Sequence, residues 1–305
     1  MNGFYPLNSE NIKSNLIWGK RQSLTYVYIE LTNRCNLSCE YCQVDTNDYY
    51  DIDFEKIVNI IDQLSEMKVF ELRLGGGEPL LYKKIYDIIN YARDKGIFVW
   101  LCTNGYNLDK KTAVKLKSSG LTGIRVSIDS TNPVIHDKVR NRKGAWFRCI
   151  DAILNAKMVA LETVISMTVG SHNIDEYELM CKMANGLDCK LSTHFVMPKG
   201  KGKNFPKISN SISGEIINNL KGEKHCVAAT ETIYINVYGN VSACSFLKPV
   251  ASVNDYSLKE IMNSPQMMKF TKPIKSEKCR ECQYGNLENC PLSNVCRGGC
   301  WVKYE

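Results

Sequence analysis

Histidine is scarce, with four in 305 residues, too few to build an imidazole-rich metal centre. No apolar run approaches the length of a membrane span. The N-terminal stretch MNGFYPLNSENIKSNLIWGK lacks the basic-then-apolar order of a secretory signal. Internal repeats and low-complexity tracts are absent as well. These absences argue against a secreted, membrane-spanning or repeat protein and predict a soluble, cytoplasmic chain. In a reducing compartment the fourteen cysteines are not expected to pair as disulfides, which leaves metal or cluster ligation. The net charge of +7 permits an acidic partner but requires no nucleic acid. Neither nucleic acid nor a membrane is expected as a partner.

What the chain does contain, over its first two-thirds, is alternation. Apolar strands are expected at TYVYIEL (25–31), VFELRLG (69–75), FVWLCTN (98–104), GIRVSID (123–129), TVISMTV (163–169) and LSTHFV (191–196). Amphipathic helices are expected at 54–68, 83–95 and 145–160. In the first of these, Ile57, Ile60, Ile61 and Leu64 recur at spacings of three and four, the mark of one buried helix face. Strand–helix alternation implies a parallel sheet with right-handed crossovers. The fold class is therefore α/β, a partial (β/α)6 TIM-like barrel followed by a small Cys-rich domain. Three segments are expected: an extension over 1–23, the barrel over 24–210 and the Cys-rich domain over 211–305.

In such barrels chemistry gathers beyond the C-terminal ends of the strands. LTNRCNLSCEYCQ (31–43) follows the first strand and GGGEP (75–79) the second; TNG (103–105) and SIDS (127–130) end the third and fourth. Cys35, Cys39 and Cys42 fall within eight positions. Four thiolates close a [4Fe–4S] cluster, so three leave one iron without a protein ligand. A structural zinc site would want a second nearby pair, and ferredoxin spacing is missing.

C-x3-C-x2-C with Tyr41 before the last cysteine, then GGEP at the next strand end, resembles the radical S-adenosylmethionine (SAM) superfamily over roughly residues 24–200. The resemblance implies that Cys35, Cys39 and Cys42 bind a [4Fe–4S] cluster with an open site that takes SAM. One-electron cleavage would give methionine and a 5′-deoxyadenosyl radical, with the cofactors carrying the hard step. Gly75, Gly76 and Gly77 are expected to allow close backbone approach to a ligand, and Glu78 to accept the ammonium of the methionine moiety. Ser127 and Asp129 are expected to meet ribose hydroxyls or the carboxyl end of SAM. Asn104 sits on the third rim, and Met197 matches a position packing near adenine. Arg140, Arg142 and His136 could touch substrate or SAM but are expected in a surface loop. Cys102, Cys149, Cys181 and Cys189 fit no ligand spacing; Cys102 and Cys149 are read as small core residues.

Cys226, Cys244, Cys279, Cys282, Cys290, Cys296 and Cys300 crowd the last eighty residues. Their spacing resembles the SPASM and twitch extensions, which implies one or two auxiliary iron–sulfur clusters. One division assigns Cys226, Cys244 and Cys300 to the nearer cluster and the other four to the outer one. A zinc ribbon on Cys279 and Cys282 stays open. The basic stretch PKGKGKNFPK (198–207) could meet an acidic leader, although a solvated loop is the plainer reading.

Three classes of function follow. The favoured one is maturation of a ribosomally made peptide or protein, by crosslinking, epimerisation or oxidation. It implies a substrate peptide, a possible separate leader-binding protein and a reducing partner such as flavodoxin or ferredoxin. Ser245 stands where sulfatase maturases carry Asp, against that subgroup. The second is a small-molecule radical SAM enzyme. Arg73, RVSIDS and Cys279-x2-Cys282-x13-Cys296 are similar to the GTP 3′,8-cyclases, but Gln283-Tyr284-Gly285 and the final WVKYE depart from them. An aminosugar or alcohol dehydrogenase or dehydratase belongs to the same class. The third is a non-enzymatic iron–sulfur electron carrier. The sequence singles out no catalytic acid or base.

Overall fold

Strand alternation and helix periodicity resolve into one nine-stranded sheet in the order β6-β5-β4-β3-β2-β1-β7-β8-β9. The structure, a computed structural model, describes residues 24–44, 48–197, 199–206 and 227–271. The expected extension over 1–23 and Cys226, Cys279, Cys282, Cys290, Cys296 and Cys300 lie outside the described residues.

The six expected strands are β1 (Tyr26–Thr32), β2 (Glu71–Gly76), β3 (Phe98–Thr103), β4 (Gly123–Ser127), β5 (Glu162–Val169) and β6 (Lys190–Phe195). All pair in parallel with their sequence neighbours. Between them lie α1 (Phe54–Glu66), α2 (Ile85–Asp94), α3 (Lys110–Ser118), α4 (Pro133–Arg140), α5 (Ala145–Met158) and α6 (Tyr177–Gly186). Asp53 starts α1 by accepting from the N–H groups of Glu55 and Lys56. Ile57, Ile60, Ile61 and Leu64 are then fully buried, each contributing about 1.5–3 kcal/mol of apolar transfer.

Strand residues divide by a period of two. Val27, Ile29 and Leu31, Leu72 and Leu74, Val99 and Leu101, and Ile124 and Val126 are buried in the common core. Tyr28, Arg73, Trp100, Cys102, Arg125 and Ser127 alternate with them and stay half-exposed on the opposite, concave face. Cys149 is a core residue as expected, whereas Cys102 stands on this concave face because its position in β3 is out of phase with Val99 and Leu101.

The expected hairpin at 232–244 forms β7 (Thr232–Ile235) and β8 (Asn240–Ser242), with β9 (Ala251–Ser252) beyond. β7 pairs in parallel with β1, from Tyr26↔Thr232 to Ile29↔Ile235, and so extends the barrel sheet. β8 and β9 continue it antiparallel. Helices α7 (Leu258–Asn263) and α8 (Pro265–Met268) follow, α7 with a capping box of Ser257 and Glu260.

Candidate active site

Immediately past β1 the chain is fastened before it reaches the first thiol. Asn33 receives the N–H of Tyr50 at 2.7 Å, and Arg34 pairs with Asp51 through its Nε at 3.0 Å. The glycine loop after β2 locks onto the same segment: Gly77 N–H donates to Thr32 O at 2.7 Å, and Glu78 N–H to Arg34 O at 2.8 Å. A Cβ on Gly77 would lie 2.2 Å from Arg34 O. Gly76, at φ +122°, would bring one 2.2 Å from Thr32 O. The close approach that these two glycines permit is to the chain's own segment before Cys35.

Cys35, Cys39 and Cys42 then share one short loop, with Cys42 N–H donating to Cys39 O at 3.2 Å. Burial pushes the Cys35 thiol up to about 11 and the Cys42 thiol upward too. Cys39 and Cys42 both act to raise Cys35, and Cys39 to raise Cys42. Among the described residues no three His, Cys, Asp or Glu side chains converge closely enough to hold a metal ion as they stand. Asn104 Nδ2 lies 3.7 Å from Cys35 Sγ, and Arg140 Nη1 lies 3.8 Å from Cys39 Sγ. Two buried polar atoms around the thiols, Asn36 Nδ2 and Gln43 Oε1, have no partner in the protein. Three free thiols on one short loop, flanked by unsatisfied polar atoms, fit an iron–sulfur unit with a further ligand beside it.

Glu78 faces inward. It is 0% exposed, and its carboxylate accepts from Thr103 Oγ1 at 2.7 Å, Asn104 N–H at 2.8 Å and Leu80 N–H at 3.1 Å. Burial pushes it up to about 7 against the lowering effect of those donors. The side chain expected to meet an ammonium group therefore ties the second rim to the third. Asn104 completes that tie by donating to Asn36 Oδ1 at 2.8 Å.

Asp129, expected to meet SAM, is also filled. Thr168 N–H donates to its Oδ1 at 3.0 Å, and Tyr41 Oη to its Oδ2 at 2.6 Å. Arg140 binds it in a fork, Nε to Oδ2 at 2.7 Å and Nη2 to Oδ1 at 2.9 Å. Burial raises the Asp129 carboxyl, but the Arg140 guanidinium reverses this and leaves it below its usual value. Arg140 and His136 are corrections to the surface-loop expectation: they are 7% and 0% exposed. Both stand on α4, which Asn132 caps by accepting from Val134 N–H and Pro133 begins. The Asn-Pro pair was the available signal for that helix. Arg142 is exposed, with its guanidinium over the Tyr106 ring at 4.9 Å.

Ser127 is half-exposed on the concave face. Met197 is brought to the cysteine loop through the turn that follows it: Lys201 N–H donates to Cys42 O at 2.8 Å, and Lys199 N–H to Met197 O at 2.7 Å. The basic stretch is thus not simply a solvated loop; its backbone packs on the site, while Lys201 and Lys203 remain exposed. His172 was not anticipated. It stacks on Tyr41 at 6.2 Å, and both of its buried ring nitrogens lack partners.

Residues 29–184 match the family model of the radical SAM superfamily, and residues 226–283 match an iron–sulfur cluster-binding domain. The chain is 24% identical to the mycofactocin maturase MftC of Mycolicibacterium smegmatis, covering 89% of this chain and 76% of that protein. It is 24% identical to a GTP 3′,8-cyclase of Peptoclostridium acidaminophilum, covering 96% and 97%. In fold it is similar to Streptococcus suis SuiB bound to S-adenosylmethionine, with a TM-score of 0.73, 15% identity and coverage of 96% of this chain and 76% of that one. Among the described residues no helix is long and apolar enough to cross a membrane. With the family model spanning half of its length, the chain belongs to the radical SAM superfamily, as an enzyme whose iron–sulfur chemistry extends into a SPASM-type domain.

Proposed function

We propose that this protein is a radical SAM enzyme that matures a ribosomally made peptide. The observation that carries the cofactor assignment is the three-thiol loop gripped from two sides, by Asn104 at Cys35 and by Arg140 at Cys39. Cys35, Cys39 and Cys42 would hold a [4Fe–4S] cluster with one open site. Asn36 Nδ2 and Gln43 Oε1, which lack partners, together with Glu78, Asn104, Ser127, Asp129, His172 and Met197, are the groups that would receive SAM. When bound, cluster and SAM supply one-electron cleavage of SAM and abstraction of a substrate hydrogen atom.

The chain's own contribution is orientation. Glu78 holds the second and third rims together, and Tyr41, Asp129 and Arg140 hold the cysteine loop to the fourth. Gly76 and Gly77 hold the second rim against the loop itself. The concave face, with Tyr28, Arg73, Trp100 and Arg125, is where a substrate can reach the site. Arg73 is occupied by Glu71 and by the Tyr26 ring, 3.5 Å away.

The tail cysteines with Cys244 are assigned to one or two auxiliary clusters. Peptide maturation is supported by the similarity to a mycofactocin maturase and to SuiB, which has also been seen with its precursor peptide SuiA. A separate leader-binding protein and an external reductant complete the reading, and the domain division at about residue 210 goes with it. The near full-length similarity to a GTP 3′,8-cyclase favours a second reading, a small-molecule substrate on the same face.

The test is anaerobic reconstitution followed by assay for 5′-deoxyadenosine and methionine, then coexpression with short peptides encoded beside the gene. Loss of two hydrogens by mass, or altered chirality with one solvent hydrogen gained, supports peptide maturation. Unmodified peptides together with conversion of GTP would decide for the second reading.

A further inference from the structure

On the concave face, Arg125 makes no ion pair among the described residues. We propose that Arg125 receives a carboxylate of the substrate, so that the modified peptide carries its free C-terminus or an acidic side chain close to the residue that loses hydrogen. The proposal deepens the peptide-maturation reading above and rests on it.

The first argument is position. β4 gives Gly123, Arg125 and Ser127 to the concave face, in order of approach to the cysteine loop. Gly123 is in register with Trp100 of β3 and Glu162 of β5. A Cβ there would lie 2.8 Å from Trp100 Cζ3, so the indole lies against this glycine and forms a floor. Arg125 comes next, between Cys102 and Val164. Ser127 follows, in one row with Ser166 of β5 and Ser192 of β6, all half-buried. Arg125 thus stands between an aromatic floor and a hydroxyl rim, about 7 Å of strand below the serine proposed to meet SAM.

The second argument is charge. Burial raises the Cys102 thiol, and Arg125 is the strongest influence in the opposite direction, which sets the guanidinium beside that thiol. The neighbouring charges are otherwise engaged. Arg73 is held by Glu71 and the Tyr26 ring. Glu30 is hydrogen-bonded to Tyr234, and Glu78 to Thr103 and Asn104. Glu162 is exposed at the start of β5, in the row below Arg125, and joins no ion pair among the described residues. Lys190 shares the row of Arg125 but is exposed two strands away, on the edge strand.

The third argument is the chemistry of the ligand. A guanidinium is a planar fork that fits one carboxylate through two parallel hydrogen bonds. Half-burial strengthens that pair relative to bulk water. A triphosphate calls for several converging cations, whereas here Arg73 is already held and Lys190 is remote. The face therefore suits a peptide carboxylate better than GTP.

Two readouts test this. In reconstituted enzyme, phenylglyoxal labelling is followed at each arginine by peptide mapping, with exposed Arg142 as the reference. Propionate at matched ionic strength should slow labelling of Arg125 by about twofold or more beyond its effect on Arg142, and propionamide should not. Equal effects of the two probes at Arg125 overturn the proposal.

The second readout uses the neighbouring-gene peptide that becomes modified on coexpression. It is made in native form, with an amidated C-terminus, and with its acidic side chains as amides. Binding to SAM-loaded enzyme is read by fluorescence anisotropy. One amide form should bind about ten- to a hundredfold more weakly than the native peptide, and which one it is separates C-terminus from side chain. Arg125→Gln should bind the native peptide equally weakly and no longer distinguish the forms; Arg125→Lys should lie between. Iron content after reconstitution checks that each variant folds, and if the Gln variant does not, Arg125→Lys decides with the amide forms. Equal binding of all forms by wild type, or native affinity in Arg125→Gln, overturns the proposal and leaves peptide maturation standing. Conversion of GTP with no peptide modified would instead reject the underlying reading.

Discussion

Arg140 holds Asp129 with two nitrogens, at 2.7 and 2.9 Å, while its third lies 3.8 Å from the sulfur of Cys39. One side chain thus connects a carboxylate at the end of the fourth strand to a thiol in the loop after the first. Arg140→Ala would leave Asp129 buried without its counter-charge. A cost of about 3–5 kcal/mol is expected, measured by urea unfolding, together with lower iron content after reconstitution. Arg140→Lys keeps the charge but not the fork and should lie between Ala and wild type.

Cys39→Ala should abolish SAM cleavage, followed as 5′-deoxyadenosine released under reducing conditions. Cys296→Ala should still cleave SAM but make no modified product, separating the loop thiols from those of the tail. Normal turnover by the Cys39 variant would contradict the cofactor assignment.

Gly77→Ala would drive a methyl group to 2.2 Å from Arg34 O and 2.8 Å from Asn33 O. Neither contact is with the end of a flexible side chain, so the glycine loop must move off the cysteine loop. A loss of about 1–3 kcal/mol in unfolding free energy is expected, and the reconstituted variant should bind less iron.

His136 carries the pH dependence of the layer behind the site. Burial, followed by the Arg140 charge, pushes it down to about 4 from an ordinary 6.5, and its Nδ1 accepts the N–H of Asp129 at 3.2 Å. Between those two values the unfolded chain takes up a proton that the folded chain refuses. Its stabilising contribution is therefore present above pH 6.5 and lost as pH falls toward 4. Urea unfolding of wild type and His136→Gln across this range should show wild type losing up to about 3 kcal/mol relative to the variant.

The parts of the fold that repeat were legible in the sequence, because period two and period 3.6 are local properties: all six barrel strands and α1, α2 and α5 follow from them. The thiol spacing was legible for the same reason. Glu78 and Asp129 show where such reading stops. Residue type marks a carboxylate as a good acceptor, but that Thr103 donates to Glu78 and Arg140 to Asp129 depends on contacts between segments remote in the chain. Arg140 stood in a polar stretch whose only signal was the Asn132-Pro133 helix start. The place of β7 beside β1 had no local signal at all, since TIYI reads as a strand wherever it pairs.

That last pairing bears on synthesis. The partner of the opening strand emerges from the ribosome about 200 residues after it, so one edge of the nascent barrel stays uncovered while the rest of the sheet is already formed. Translation pauses or truncations before residue 232 should leave that edge open to intermolecular pairing, and a chaperone that shields it would raise the yield of full-length enzyme.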